Sequence, residues 1–113
     1  MKDCIFCRIV AGEIPATILS ENEVAVAIAD LSAQAPMHAL VIPRRHAAHL
    51  SEYVAATDSS DAGELLALAS RIGLAATGNG YRVVVNEGPD GGQTVHHLHL
   101  HVLAGRPLGW PPG

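Results

Sequence analysis

The chain has 113 residues, which is enough for one domain with a buried hydrophobic core. Its formal net charge is −4 at pH 7, and its one basic cluster is Arg44-Arg45. This balance argues against a nucleic-acid-binding protein that relies on a basic patch. No apolar run is long enough to cross a membrane, and "MKDCIFCRIV" lacks the features of a secretory signal. We therefore expect a cytoplasmic protein with no nucleic-acid or membrane partner.

The first half of the chain predicts a short helix followed by three strands. The segment "CIFCRIVAG" suits a short N-terminal helix that ends at Gly12. After the break at Pro15, a short strand runs into a turn at Glu21–Glu23. The segments "EVAVAIAD" and "HALVIP" predict strands that end at Asp30 and Pro43.

The second half predicts one main helix and two strands. The helix lies within "AATDSSDAGELLALASRIGLAATG", where Asp58 or Ser60 can cap its start. The strand "YRVVVNEG" ends at Asn86, and a glycine loop, "GPDGGQ", leads to the last strand. Strands joined by short loops, with one main helix and a short N-terminal helix, predict an α+β fold with an antiparallel sheet. We expect a single domain over residues 1–113.

The segment "TVHHLHLHVL" holds four of the seven histidines. Its alternation predicts a half-buried strand with Leu98, Leu100 and Val102 on one face and His97, His99 and His101 on the other. Neighbouring imidazoles on one strand face lie about 6.5–7 Å apart. Each titrates near neutral pH and can ligate a metal or attack an electrophile. The alternative is a solvated strand face, and His96 is expected to be a packing or rim residue.

Both cysteines, Cys4 and Cys7, lie in a C-x2-C pair. A disulfide framework needs more cysteines, spread more widely along the chain. In a cytosolic protein such a pair indicates a metal-binding or redox-active site. The alternative is two small buried thiols.

The loop "NEGPDGGQT" runs directly into the histidine segment. Gly91 and Gly92 allow backbone N–H groups to approach a ligand closely, and such concavities bind anions. A glycine pair is also common in hairpin turns. A phosphate held by this loop would lie beside the three imidazoles.

Four ordered segments of the chain resemble one known family. They are "IFCRIVAGEIPA", "DLSAQAPMHALVIPRRH", "GYRVVVNEGPDGGQTVHHLHLHVLAGR" and "WPPG". Together they resemble the histidine triad (HIT) superfamily, and in particular its Hint-like, nucleotide-binding branch. The resemblance implies a HIT-like fold, a homodimer with joined sheets and a pocket for a purine nucleoside monophosphate. It also implies hydrolysis of the P–N bond of phosphoramidates such as adenosine 5′-monophosphoramidate, with no cofactor for catalysis.

The same resemblance implies roles for four histidines. His99 matches the nucleophile, which forms a covalent nucleotidyl-histidine intermediate and so divides one difficult step into two. His97 and His101 flank it, where they can donate to phosphate oxygens or fix its tautomer. His38 matches a fourth catalytic histidine that orients or transfers a proton.

The nucleotide contacts are also carried over residue by residue. Asp30 matches the acid that binds the ribose hydroxyls. The other matching positions are Asn86, Gly92 and Thr94 for phosphate, Phe6, Ile9 and Ile28 for the base, and Val95 and Trp110 for the mouth of the site. The chain departs from the usual pattern at Thr94, where the branch has serine, and at Ile28, which is often aromatic.

Branch members with a C-x2-C pair often bind structural zinc, and the matching ligands here are Cys4, Cys7, His46 and His97. This is a closed Cys2His2 set. Zinc on His97 would remove that imidazole from direct phosphate contact. Two other functions stay open: a nucleotide-binding regulatory module with vestigial catalysis, and a catalytic metal hydrolase that uses H-x-H as ligands. The adenine or guanine preference and the amine leaving group also stay open.

Overall fold

The structure is a computed structural model that describes residues 3–113. In chain order its elements are α1 (Ile5–Val10), β1 (Ile18–Glu21), β2 (Ala25–Ala29), β3 (Met37–Pro43), α2 (Leu50–Ala56), α3 (Ser59–Ala76), β4 (Tyr81–Val85) and β5 (Leu100–Ala104). The predicted α+β class is confirmed, with a main helix and a short N-terminal helix. Within residues 3–113, no helix combines the length and the apolar character that a membrane span requires.

The strands form one antiparallel sheet in the order β1-β2-β3-β5-β4. The pairing of β3 with β5 sets His38 opposite Leu103 and Leu40 opposite His101. Residues that face each other across a ladder, and those two further along, share one face of the sheet. The imidazoles of His38 and His101 are therefore diagonal neighbours on the same face.

The two faces of the sheet have separate hydrophobic clusters. One face packs against α3 and α2, with Val41 and Val102 buried against Leu68 and Tyr53. The opposite face buries Val26, Ile28, Leu40 and Ile42 together with Phe6 of α1. Helix α1 therefore covers part of the face that also carries His38 and His101.

The region around the main helix differs from the sequence prediction. A separate helix, α2, precedes α3 and was not predicted. Its N-cap is His49, whose Nδ1 accepts a hydrogen bond from the Glu52 backbone N–H at 3.3 Å. Histidine is not among the preferred N-cap residues, so no common capping residue indicated this helix start. Asp58 is the N-cap of α3 by position, but its side chain makes no capping hydrogen bond.

Strand β5 begins later than the alternation of histidines predicts. It starts at Leu100, so His101 lies in the strand whereas His97 and His99 precede it. The prediction of a regular strand through all three histidines is therefore wrong for the first two. Here the backbone N–H of Leu98 donates to the Ala47 carbonyl at 2.8 Å, outside the ladder of the sheet.

Candidate active site

The imidazole of His99 is held in one tautomer by its own segment. Its Nδ1 lies 2.8 Å from the His97 carbonyl oxygen. A carbonyl can only accept, so His99 Nδ1 carries the proton and donates it. The Nε2 atom of the neutral ring then keeps its lone pair. The ring of Phe6 packs edge-on against this imidazole, with centroids 5.1 Å apart. His99 is thus a fixed imidazole with a nucleophilic Nε2.

A second pair of imidazoles is linked by a defined chain of hydrogen bonds. The Gln34 backbone N–H donates to His38 Nδ1 at 3.0 Å, so the proton of neutral His38 is on Nε2. That Nε2 lies 2.9 Å from His101 Nδ1 and 3.4 Å from Asp30 Oδ2. His101 Nδ1 therefore accepts, and the proton of neutral His101 is on its Nε2. The Nε2–H of His101 is therefore the one donor of this ring that remains free for a ligand in the pocket.

The surroundings of His101 favour its neutral form. Burial, with smaller contributions from the nearby His99 and His38, lowers the pKa of the His101 imidazole to about 4. The carboxylate of Asp30 opposes this shift and is the smallest of these effects. Near neutral pH the free chain therefore presents His101 as a neutral imidazole.

A pocket of about 450 Å³ lies against these residues. This volume is within the usual range for small-molecule sites. Its lining combines polar groups with an apolar wall, and includes His99, His101, Asp30, Thr94, Phe6, Ile9, Ile28 and Val95. All eight were selected from the sequence. The lining also includes residues that were not selected, among them Ile5, Leu31 and Leu40. Ile5 lies inside the C-x2-C pair and Leu31 follows Asp30. Their position beside these motifs was only a weak sign that they line the pocket.

Other selected residues lie outside this lining. The Asn86 amide donates to the Gly91 carbonyl at 2.6 Å, and the Gly92 N–H donates to the Pro89 carbonyl at 3.1 Å. Gly92 has φ of 79°, a conformation that favours glycine, so the backbone geometry of the loop explains why glycine stands at this position. Its N–H is hydrogen-bonded to a carbonyl of the same turn. Trp110 is 82 % exposed.

Gln93 is a supporting residue that the sequence analysis missed. Its Oε1 accepts from the Gly88 N–H at 3.1 Å, and its Nε2 donates to the carbonyls of Ala48 at 2.6 Å and Val95 at 3.0 Å. One amide thus joins both ends of the glycine loop to the segment after β3. A polar residue between a glycine pair and Thr94 was the available signal.

A separate cluster brings together the four predicted metal ligands. The ligand atoms of Cys4, Cys7, His46 and His97 all lie within 4.8 Å of one another. His97 Nδ1 is 3.2 Å from Cys4 Sγ, 3.5 Å from Cys7 Sγ and 3.1 Å from His46 Nδ1. Tetrahedral zinc with these ligands has edges of about 3.3–3.8 Å, from standard Zn–S and Zn–N bond lengths. The cluster therefore fits a zinc ion with little movement.

The protonation of this cluster also suits a metal. His97 Nε2 lies 2.9 Å from the Pro43 carbonyl oxygen and so donates its proton there. Its Nδ1 lone pair is then directed at the thiols and His46, as in metal sites whose histidines are oriented by a carbonyl. Burial raises the pKa of the Cys7 thiol, and the hydrogen bond and charge of Cys4 add to the shift. A bound cation would reverse this shift by favouring the thiolate.

The His97 imidazole is not available to a phosphate in the pocket. The residue is 0 % exposed. Its Nδ1 contacts the Cys4 thiol and its Nε2 contacts the Pro43 carbonyl. The expectation that this side chain donates to phosphate oxygens is therefore wrong. Its link to the chemistry is the backbone carbonyl, which fixes the tautomer of His99.

Asp30, His38 and His101 also lie within 4.8 Å of one another. A metal here would need an unprotonated His38 Nε2. However, His38 Nδ1 already accepts the Gln34 N–H, and a neutral imidazole has one protonated nitrogen. This trio is therefore better suited to proton positioning than to metal binding, which argues against the catalytic metal hydrolase.

The family of the chain follows from its match to known proteins. Residues 11–108 match the HIT domain. The chain is a member of the HIT family. This HIT protein is 47 % identical to an uncharacterized HIT-like protein of Synechococcus elongatus, and the match covers 99 % of this chain and 98 % of that protein.

Solved structures agree with the family and the fold. A HIT family hydrolase from Legionella pneumophila is 40 % identical, with a TM-score of 0.88 over 98 % of this chain and all (100 %) of that one. A zinc-bound histidine triad family protein from Mycobacterium smegmatis is 34 % identical, with a TM-score of 0.83 over 93 % of this chain and 76 % of that one. This HIT protein thus has the predicted HIT-like fold.

Proposed function

We propose that the chain hydrolyses purine nucleoside 5′-phosphoramidates through a covalent nucleotidyl intermediate on His99, as in the Hint-like branch. The observation that carries this proposal is the tautomer of His99. Its Nδ1–H is committed to the His97 carbonyl, so the lone pair of Nε2 is the one nucleophilic site of the neutral ring. The Legionella pneumophila relative, described as a HIT family hydrolase, supports the hydrolase class.

In the first step, His99 Nε2 attacks phosphorus and the P–N bond breaks. The ring becomes positively charged while it keeps its Nδ1 proton, so the hydrogen bond to the His97 carbonyl becomes charge-assisted and shorter. The amine must receive a proton as it leaves. That proton comes from a protonated His101, which returns to the neutral form.

His101 must gain this extra proton when substrate binds, because its pKa is about 4 in the free chain. A substrate phosphate adjacent to the ring supplies the negative charge that favours the imidazolium form. In the free chain the His38 N–H occupies His101 Nδ1, so the proton of neutral His101 is on Nε2. The extra proton enters at Nδ1 as the His38 N–H turns to Asp30 Oδ2, 3.4 Å away, and the Nε2 proton is the one given to the leaving group.

In the second step, water attacks the phosphorus and His99 Nε2 is the leaving group. The neutral His101 accepts the proton of the attacking water as general base. The products are a nucleoside monophosphate and the free amine, and both histidines can enter another cycle after His101 loses its proton to solvent.

The pocket lining supports a nucleoside substrate. We assign the base to the apolar wall of Phe6, Ile9 and Ile28, and the ribose hydroxyls to Asp30. Asp30 already accepts from the Ser32 N–H at 2.8 Å, but a carboxylate has about four lone-pair sites and can accept further hydrogen bonds. Phosphate is assigned to Thr94, which lines the pocket, and to a loop held by Asn86 and containing Gly92.

We also propose structural zinc at Cys4, Cys7, His46 and His97, outside the chemical steps. The zinc-bound relative from Mycobacterium smegmatis supports this assignment. When bound, the ion joins α1 to β3 and to the histidine segment. Two reduced thiols in this set need a reducing compartment, which supports a cytoplasmic location.

The assembly that we propose is a homodimer formed along β4. This strand is at the edge of the sheet, and within residues 3–113 one of its sides has no strand beside it. All five of its residues are half-buried, and the neighbouring α3 exposes Leu66 and Leu74. A second copy would pair the strand edge and cover these apolar side chains.

The test is turnover of adenosine 5′-phosphoramidate, measured as AMP release by the wild type, His99→Ala and His96→Ala. His96 is the exposed neighbour of the triad and serves as the matched control. We expect release by the wild type and by His96→Ala, and a loss of several orders of magnitude in His99→Ala. Tight AMP binding without turnover in the wild type would instead identify a regulatory nucleotide-binding module.

A further inference from the structure

The segment that presents His99 lies outside the backbone ladder of the sheet. Strand β5 begins at Leu100, so His97 and His99 precede the ladder. Two hydrogen bonds join the segment to other parts of the chain, Leu98 N–H to Ala47 O at 2.8 Å and His97 Nε2–H to Pro43 O at 2.9 Å. A third, His99 Nδ1–H to His97 O at 2.8 Å, lies within the segment and fixes the His99 ring. The position of the nucleophile therefore depends on these contacts.

These contacts involve the four predicted metal ligands or their neighbours in the chain. His97 is a member of the cluster and supplies the carbonyl that fixes His99. His46 is another member, and its chain neighbour Ala47 supplies the carbonyl that holds Leu98. Anything that fixes the side chains of the two cluster histidines therefore also fixes the backbone at His97 and Leu98.

Helix α1 forms a second connection between cluster and nucleophile. Phe6 lies between Cys4 and Cys7 in the chain, so the two cysteine ligands hold it at both sides. Its ring packs edge-on against His97 and His99, with centroids 5.9 and 5.1 Å apart. Fixing the two thiolates fixes the aromatic wall against which the nucleophile packs.

We propose that a metal ion bound by Cys4, Cys7, His46 and His97 positions the nucleophile, with the His97 backbone carbonyl as the connecting group. His97 is in this sense a positioning residue, and it does not touch the substrate. The proposal rests on the proposed role of His99. It differs from a purely structural role of the metal, because it assigns the effect to one tautomer of one side chain.

The test uses the full chain labelled with 15N, loaded with Zn²⁺ alone or freed of metal, without substrate. Long-range 1H–15N correlations of the imidazoles report which nitrogen of His99 is protonated. We expect protonation at Nδ1 in the zinc form. In the metal-free form the ratio of the Nδ1-protonated to the Nε2-protonated tautomer of His99 should fall about two- to tenfold, as expected for a weakened neutral hydrogen bond. An unchanged ratio would overturn the proposal.

Two variants sharpen the comparison. Cys7→Ser with added zinc should give the tautomer ratio of the metal-free form, whereas His96→Ala should give that of the zinc form. If the metal-free wild type loses its sheet amide signals, Cys4→Ala/Cys7→Ala provides a metal-free chain without the buried thiols. Loss of the sheet amide signals in both the metal-free wild type and Cys4→Ala/Cys7→Ala would also overturn the proposal, because the metal would then be required for folding of the whole chain.

The readout separates this proposal from the proposed function. Tautomers are measured without turnover, so a chain with no phosphoramidase activity can still show the coupling to zinc. Conversely, a chain that hydrolyses phosphoramidates can show one His99 tautomer with and without metal, which overturns the coupling alone.

Discussion

His38 Nε2 and His101 Nδ1 are 2.9 Å apart, and the Gln34 N–H on the far side of His38 determines which of the two donates. Because His38 donates, the proton of neutral His101 is on Nε2. Gln34, in the loop before β3, and His38, in β3, thus decide which nitrogen of His101 carries the proton in the free chain. This relationship leads to the first prediction.

We expect His38→Ala to lower kcat by about tenfold with little change in KM, because His101 loses the donor that fixes its tautomer. His38→Gln should restore most of the rate, since its amide N–H can replace the imidazole Nε2–H. The measurement is steady-state hydrolysis of adenosine 5′-phosphoramidate by both variants. Equal rates for His38→Ala and the wild type would remove His38 from the mechanism.

The protonation of His101 gives a prediction about pH. Its pKa is lowered to about 4, so the ring should be neutral in the free chain between pH 5.5 and 8. Bound AMP should raise the midpoint of its NMR titration, because the phosphate favours the imidazolium. The unfolded chain binds this proton at a higher pH than the folded chain, so this group lowers stability as the pH falls from 6.5 toward 4. A midpoint near 6.5 in the free chain would contradict the account.

Asp30 should confer a preference for ribonucleotides. Hydrogen bonds to a charged group contribute about 1.5–3 kcal/mol each, so AMP should bind about tenfold or more tightly than 2′-deoxy-AMP. Asp30→Ala should remove most of this preference, while Glu13→Ala, which removes an exposed carboxylate, should retain it. Calorimetric titration of both nucleotides compares the three chains. Equal affinity in the wild type would argue against a ribose contact at Asp30.

Chain purified without chelator should contain about one zinc ion. X-ray absorption should show two sulfur neighbours at about 2.3 Å and two nitrogen neighbours at about 2.0–2.1 Å. Cys7→Ser should lose most of the metal, whereas His49→Ala, which alters a histidine outside the cluster, should keep it. If Cys7→Ser bound zinc with unchanged stoichiometry and affinity, the ligand assignment would be wrong.

Local patterns in the sequence predicted much of the fold and the histidines of the pocket, whereas the other pocket residues were predicted from the family resemblance. The alternation in "TVHHLHLHVL" separated His101 from Val102 correctly, because β5 is a regular strand there. The strand end at Asp30 and the strand start near His38 were also visible, and the sheet brings these two side chains within 3.4 Å. These features depend on periodicity and turn chemistry, which are local.

The remaining features depend on contacts that are distant in the chain. His97 is directed away from the pocket because Pro43 and the two cysteines engage its ring, and alternation contains no information about those partners. The loop role of Gln93 depends likewise on the Ala48 carbonyl, 45 positions away. Helix α2 was missed because its cap is histidine, which is not among the preferred N-cap residues.

The central claim is that His99 becomes covalently attached to the nucleotide, and a rapid alkaline quench during turnover, which preserves a P–N bond to histidine, tests it most directly. The chain is quenched while it turns over adenosine 5′-phosphoramidate and is analysed by intact-mass and peptide mass spectrometry. These should detect an added adenylyl group on the peptide that contains His99. His96→Ala should show the same adduct and His99→Ala should show none. Full turnover by the wild type with no adduct at any quench time, together with comparable turnover by His99→Ala, would contradict the account.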